Sequence, residues 1–467
     1  MNARELTWNL LTEVNERGAL SHEAFADAME RYAPSGADRA LVTRLFNGTL
    51  ERQETIDRVI ERQTGRPVGK VKTKIRNLLR MSVYQMLFLQ RVPAAAACNE
   101  AVSLAKKHGL AGLAGFVNGT LRGLDREISA SGGQEGYLKV AAAAMGETER
   151  LCFLYSMPEW IVTRLREDFP KADIETILRA FLAESGVTVR LNRSRGDMET
   201  LRRALAEEGI KPGESVLDNC LRLRDAGNPA ELAAYRDGLF SIQDVSAVLA
   251  GNLLPLAPGM RVLDLCAAPG GKTVHAADEL AALAKEAGRP AEGAFEVESR
   301  DVGEGKLPLI REQLDRVKLP NVHCAAADAS VYDPKLEAWA DIVIADVPCS
   351  GLGVIGRKPD IRYKTKSEDI EALAGIQREI VRQAVRYVKP GGLLAYSTCT
   401  TARAENEDIA SFIVSLGMTP VKLAEKLPAD MREACERQGG LEGIGVQIFP
   451  EPERWDGFYI AEFRRPE

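Results

Sequence analysis

Between Arg4 and about Glu127 apolar residues return every three or four positions, as in Leu6, Leu10, Leu11 and Val14, then Leu41, Leu45 and Leu50, then Ile56, Val59 and Ile60. That period gathers them on one stripe of a helix, so the segment is predicted to be all-α. Pro93 opens a further helical run, AAAACNEAVSLAKK, because its fixed φ and missing N–H suit a first turn. The small, Gly-rich run SASGGQEG around Gly132 then reads as a linker. The expected domains are 1–130, 131–235 and 236–467. In the second, helical stretches from Ile161 to Phe169 and from Ile174 to Glu184 lead into the alternating VTVRLNRSR, the helical METLRRALAEEG and a last extended piece, a small α+β unit. In the third, strand-like runs (MRVLDLC, NVHCAAAD, DIVIADV, GLLAYSTC, FYIAEF) alternate with helical ones. That order predicts an α/β, Rossmann-like, doubly wound sheet, mostly parallel, with helices on both faces. One run, FEVESRD, carries Glu296, Glu298 and Arg300 where a buried strand is apolar, and is expected at an edge or in a shifted register.

A chain of 467 residues accommodates about three domains of ~150 residues. With 45% hydrophobic and 27% charged residues it is neither disordered, fibrous nor a disulfide-stapled scaffold. Its longest apolar stretches fall short of the ~20 residues that cross a bilayer. The first residues lack the apolar core and cleavage site of a signal peptide, so a cytoplasmic protein is expected. Eight cysteines without a C-x-x-C pair point to reduced thiols and no zinc. Four dispersed histidines offer neither a metal centre nor a His-dependent triad, so no metal is expected. The net charge of −6 hides an asymmetry: residues 1–130 hold 19 Lys plus Arg against 14 Asp plus Glu, which suggests a polyanionic partner. The basic stretch Arg62, Arg66, Lys70, Lys72, Lys74, Arg76 and Arg80 fits that partner and fits a solvated helix face equally well.

Arg261–Thr273, RVLDLCAAPGGKT, runs an apolar strand into a Pro-Gly-Gly turn and then a helix near Lys272. Glycines admit a ligand close to the backbone, and the helix start offers unpaired N–H groups to it. The run matches neither G-x-x-x-x-G-K-[ST] nor G-x-G-x-x-G, so ATP and NAD are poorly supported. Asp301, Asp328 and Asp346 each end a later strand, where doubly wound folds form their ligand crevice. Each alone is as readily a cap or turn residue; the set carries the argument. Cys349, in DVPCSG, and Cys399, in STCT, each follow a core strand into the same crevice. The six other cysteines read as small hydrophobes, except Cys266 in the glycine-rich turn.

LDLCAAPGGKT, DVPCSGLGVIGRKPDIRY and AYSTCTTARAENE, in this order, with FSIQDVSA before and DGFYIAEF after, resemble the S-adenosylmethionine-dependent RNA (cytosine-5)-methyltransferases of the Nop2/Sun type. The resemblance covers essentially 150–467. ALVTRLFNGTLERQETID, LLRMSVYQMLFLQRVPAAAACNEAVSLAKKHG and GFVNGTLR resemble the RNA-binding antitermination factor NusB. The combination resembles the bacterial subfamily that methylates 16S ribosomal RNA. This resemblance implies S-adenosyl-L-methionine as cofactor, held by the backbone of Cys266, Ala267, Ala268, Pro269, Gly270, Gly271 and Lys272, with Asp301 on the ribose hydroxyls, Asp328 on the adenine amino group and Asp346 near the methionine end. It implies Cys399 as the nucleophile that adds to C6 of cytosine, Cys349 as the group assisting release, and Asp346 on the N3/N4 edge of the base. Arg357, Lys358 and Arg362 would face RNA, though an exposed polar loop accounts for them too. DNA cytosine-5 enzymes use the Pro-Cys cysteine, which leaves Cys349 as the alternative nucleophile. The expected partner is 16S ribosomal RNA and the expected state a monomer. Two other functions stay open on sequence: a tRNA cytosine-C5 methyltransferase, and a catalytically idle RNA-binding assembly factor.

Overall fold

The computed structural model describes residues 1–183, 186–224 and 226–467. Two compact units emerge, one of Met1–Arg164 with Ile355–Lys364, the other of Leu165–Val354 with Thr365–Glu467. The first is all-helical, as its periodicity predicts. Asn2 caps the helix Ala3–Arg17 by accepting from the Glu5 backbone N–H at 2.9 Å, which satisfies one of the four orphan donors of a helix start. Leu11, Val42, Phe46, Ile56, Ile60, Leu78, Leu79, Val117 and Leu121 close one core. That core continues past the Gly-rich run: Tyr137, Ala141, Ala142 and Phe153 belong to it. Residues 131–133 are a turn between the helices Ala114–Ala130 and Gln134–Ala142, and the compact unit runs on to Arg164. The basic stretch is only partly a solvated face, because Arg80 is buried and clamps Asp57 through two bonds of 2.7 and 2.6 Å.

The segment Ile355–Lys364 completes this unit. Asp360 accepts from the Ser21 backbone N–H at 3.2 Å, Tyr363 Oη accepts from the Glu54 N–H at 3.3 Å, and Lys364 Nζ donates to the Ala19 carbonyl at 2.7 Å. Arg362, 1% exposed, donates to the Glu51 carbonyl.

The second unit holds two sheets. In the smaller, β1 (Val187–Leu191), β2 (Gly213–Glu214), β3 (Cys220–Leu223) and β4 (Phe240–Ile242) run in the order β2-β3-β1-β4, all antiparallel. The preceding helix is Ile174–Ala180; its expected end at Glu184 lies outside the described residues. Buried Arg190 of β1 reaches buried Asp278, on the helix Gly271–Glu286, at 2.9 Å. Asp278 also accepts from the Arg193 and Ser194 N–H groups at 3.0 Å, so this charge is both paired and hydrogen-bonded, as burial requires.

The larger sheet contains β5 (Arg261–Asp264), β6 (Glu296–Asp301), β7 (Val322–Ala326), β8 (Ala340–Asp346), β9 (Val388–Thr398), β10 (Thr419–Val421), β11 (Val446–Ile448) and β12 (Phe458–Arg464). Its order is β10-β12-β9-β8-β5-β6-β7, with β11 on β12. β5 through β9 are parallel, and the antiparallel strands lie beyond β9. Runs such as IVIA in β8 are apolar throughout because a parallel strand is covered on both faces. β6 corrects the expectation from FEVESRD: it lies between β5 and β7, in register with both. Its charges are tolerated because Glu298 and Arg300, two apart on one face, pair at 2.8 Å, with Asp333 on Arg300 at 2.9 Å and His323 on Glu298 at 2.7 Å.

Glu462 of β12 is the costly member of this sheet. Its side chain is 1% exposed, both carboxylate oxygens lack a hydrogen-bond partner, and Lys426 reaches it only at 3.6 Å. Burial pushes its carboxyl from 4.5 up to about 7. A folded pKa above the unfolded one means stability held below pH ~4.5 and lost as pH rises to 7, up to about 3 kcal/mol at 1.36 kcal/mol per unit. Glu462→Gln is expected to unfold at higher urea than wild type at pH 8 and to lose that advantage at pH 4.5. Equal midpoint shifts at the two pH values would refute the assignment.

Candidate active site

The carboxyl ends of β5, β6 and β8 converge on the turn that follows β5. Leu263 and Val262 are buried in the sheet, and the chain then turns through Cys266–Gly270 into the helix Gly271–Glu286. Gly270 sits at φ +112°, where a side chain is strained, and a Cβ there would meet Ile310 at 3.3 Å, so glycine is required. One oxygen of Asp301 pins this turn by accepting from the Ala268 N–H at 3.1 Å, while the other accepts from the Gly303 N–H at 2.9 Å in the loop that follows β6. Asp328 is exposed; the Ser330 hydroxyl and N–H bond one of its oxygens at 2.6 and 2.9 Å and hold its carboxyl below the usual range.

Asp264, fully buried, accepts from the Thr273 hydroxyl at 2.7 Å, while its other oxygen has no partner. Burial pushes it up to about 7. It was not singled out in the sequence, although it stands inside LDLC. Lys272 leaves the first helical turn toward the end of β8, where its Nζ meets Asp346 at 2.5 Å and lies 5.0 Å from the Phe458 ring centre. Asp346 also accepts from the Ser397 hydroxyl at 2.7 Å.

Asp346 and Ser397 are register partners on β8 and β9. Three residues beyond one and two beyond the other stand Cys349 and Cys399, whose sulfurs lie 3.5 Å apart. The Gly353 N–H donates to the Cys399 carbonyl at 3.0 Å, and the Gly457 N–H to the Gly353 carbonyl at 2.9 Å. A Cβ on Gly353 would overlap the Gly457 carbonyl, so the two turns touch only because glycine is there. The Cys349 thiol is pushed well up, first by its hydrogen bond to Cys399, then by burial and by the neighbouring charges of Cys399 and Glu405. In such a coupled pair the titration steps belong to the two thiols together.

Behind the sulfurs lies a buried polar cluster. Glu405, 0% exposed, accepts from the Ser350 N–H at 2.8 Å, from the Ser350 hydroxyl and from Gln377 Nε2 at 3.0 Å. The Ser350 and Thr400 hydroxyls are 2.7 Å apart, and Tyr396 Oη donates to the Glu405 carbonyl at 2.5 Å. Asn406 donates to the Thr400 carbonyl at 3.0 Å and to Gln447 Oε1 at 2.7 Å. Sequence reasoning missed this cluster. Gln377 had a signal, since it interrupts the buried seam Ile370, Ala374, Val381 and Ala384 of its helix.

The fold thus brings together Cys266–Lys272, Asp301, Asp346, Cys349 and Cys399, all within the second unit. Arg357, Lys358 and Arg362 belong to the segment of the first unit. Arg357 and Lys358 are exposed. Arg362 corrects the expectation of an RNA contact: its guanidinium is buried against Glu51, where no nucleic acid reaches it. Among the described residues no cluster of three or more His, Cys, Asp or Glu could hold a metal ion, and no helix is long and apolar enough to cross a membrane.

Comparison with known proteins agrees with the motifs. The family model described as 16S rRNA methyltransferase RsmB/F matches residues 252–464, the NusB family model 1–126, and the RsmF/B-like ferredoxin-like domain 157–229. A probable ribosomal RNA small subunit methyltransferase B of Bacillus subtilis is 34% identical over 99% of both chains. One from Synechocystis is 30% identical over 100% of both. The crystal structure of PH0851 shares the fold, with a TM-score of 0.76 at 21% identity over 100% of this chain and 99% of that one.

Proposed function

Since the chain belongs to the RsmB/F family of 16S rRNA methyltransferases, we propose that it methylates C5 of a cytosine in 16S ribosomal RNA through a covalent bond between Cys399 and C6. The 3.5 Å pairing of two thiols at the ends of adjacent parallel strands carries this reading. C5 of cytosine is a poor nucleophile, and a thiolate adding to C6 turns C5 into an enamine carbon, splitting one hard step into easier ones. Of the two sulfurs, Cys399 takes the nucleophile's place by its position in STCT, as the family resemblance implies.

The residues present fit S-adenosylmethionine. A helix start faces the strand ends, Asp301 and Asp328 lie where doubly wound folds receive ribose and base, and the unpartnered oxygen of Asp264 adds an acceptor at the turn. The backbone of Cys266–Lys272 would hold the methionine moiety. When bound, the cofactor supplies an electrophilic sulfonium methyl. Asp346 presents its carboxylate to the N3/N4 edge of the base, with Lys272 and Ser397 fixing its two oxygens. Attack by Cys399 forms the S–C6 bond and places electron density on C5, which takes the methyl. Cys349, once deprotonated, then takes the C5 proton onto its own sulfur as the S–C6 electron pair returns to Cys399. A stacked cytosine must leave its stack to reach Cys399, at a cost of a few kcal/mol that is least in a loop or bulge. Exposed Arg357 and Lys358 suit phosphate contact, and the protein is expected to work in the cytoplasm.

Transfer from labelled S-adenosylmethionine to unmodified 16S RNA, with nucleoside digestion, tests the proposal. Label in 5-methylcytosine is expected. Label confined to tRNA would favour the tRNA enzyme, and none in either RNA despite cofactor binding would favour an assembly factor.

A further inference from the structure

Glu405 is a charged side chain with no access to solvent, and therefore none to substrate, placed where the two cysteine turns meet. Its carboxylate takes three donors: the Ser350 N–H, the Ser350 hydroxyl and Gln377 Nε2. Ser350 follows Cys349 directly, and its hydroxyl also bridges to Thr400, which follows Cys399 directly. Gln377 donates on to the Pro348 carbonyl at 2.9 Å, so the residue before Cys349 is held as well. The Tyr396 hydroxyl fixes the Glu405 main chain from inside β9. One carboxylate thus ties the residues flanking Cys349 to the residue flanking Cys399.

An ion costs several kcal/mol to bury and persists only when its lone pairs are satisfied. A purely structural tie would be served as well by apolar packing, so a fully bonded carboxylate at this one junction calls for a reason in the reaction. Burial pushes the Glu405 carboxyl up, while Ser350, Gln377 and Thr400 draw it down. Its charge is one of the influences that push the Cys349 thiol up, which makes the deprotonated sulfur a stronger base.

We propose that Glu405 is a positioning residue for the release step, holding the Cys349 thiol against Cys399 so that the methylated base can lose its C5 proton and leave. The inference rests on the roles given above to the two cysteines. A catalytic group displaced by about 1 Å costs on the order of 10²-fold, so Glu405→Gln and Glu405→Ala are expected to lower kcat about 10- to 100-fold. KM for both substrates should stay within about twofold, and a protein–RNA adduct should accumulate on a denaturing gel, because attack by Cys399 outpaces release. Ser350→Ala, which removes one donor and buries no new group, should shift kcat and adduct in the same direction by less.

Cys349→Ala and Cys399→Ala run beside them, with melting temperatures for all. A trapped adduct with Cys349→Ala and none with the Glu405 variants overturns the Glu405 proposal alone. So does a kcat loss that tracks the fall in melting temperature without adduct. Absence of adduct with Cys349→Ala, while the wild type transfers methyl, overturns the role of Cys349 and this proposal with it.

Discussion

Cys399→Ala is expected to lose methyl transfer by at least about 10⁴-fold and to form no covalent RNA complex. Removing the nucleophile of a covalent mechanism forfeits the whole adduct pathway and leaves only binding and orientation, and knockouts of such groups fall in that range or beyond. Because Cys399 is half-buried between the turns after β8 and β9, its loss removes a small apolar volume and leaves the cofactor turn, 266–272, untouched. Affinity for S-adenosylmethionine, followed by calorimetry, should therefore match wild type. Transfer by Cys399→Ala at more than about a hundredth of the wild-type rate would hand the nucleophile's role to Cys349.

Cys349→Ala should behave in the opposite way. It keeps the attacking sulfur and removes the group that serves proton loss, so the adduct forms, the methyl moves and the product stays bound. Loss of a general base costs about 10²- to 10⁴-fold, and here the cost falls on turnover while a single methyl per enzyme is still transferred. A burst of one equivalent of label, found covalently attached to protein in a denaturing gel, is the expected signature. Steady turnover with no retained band would refute it.

The fold was legible where one rule governs the chain. The parallel strands announce themselves because both faces are covered, and the positions of Asp346, Cys349 and Cys399 followed from strands ending in one crevice. β6 was misplaced because Glu298 and Arg300 satisfy each other across two positions, a pairing that composition alone reports as exposure. Arg362 was misread for a related reason. A cation in GRKPDIRY looks solvated, and its partner in the fold is the Glu51 carbonyl, more than 300 residues earlier in the chain. Glu405 stood inside a motif, yet nothing local shows that the short helical turn Arg403–Glu405 points its last side chain inward.

The ten residues Ile355–Lys364 carry a consequence for the order in which the protein is made. They finish a helical unit whose other members end at Arg164, so about 190 residues must be synthesised between its two parts. At roughly 5–20 residues per second the ribosome takes on the order of ten seconds or more to supply them. Through that interval the Glu51 carbonyl and the Ser21 and Glu54 N–H groups are without the bonds that Arg362, Asp360 and Tyr363 make to them, and the unit is complete only once the chain has passed Lys364. The first part of the protein to emerge is thus finished only after most of the second has been translated.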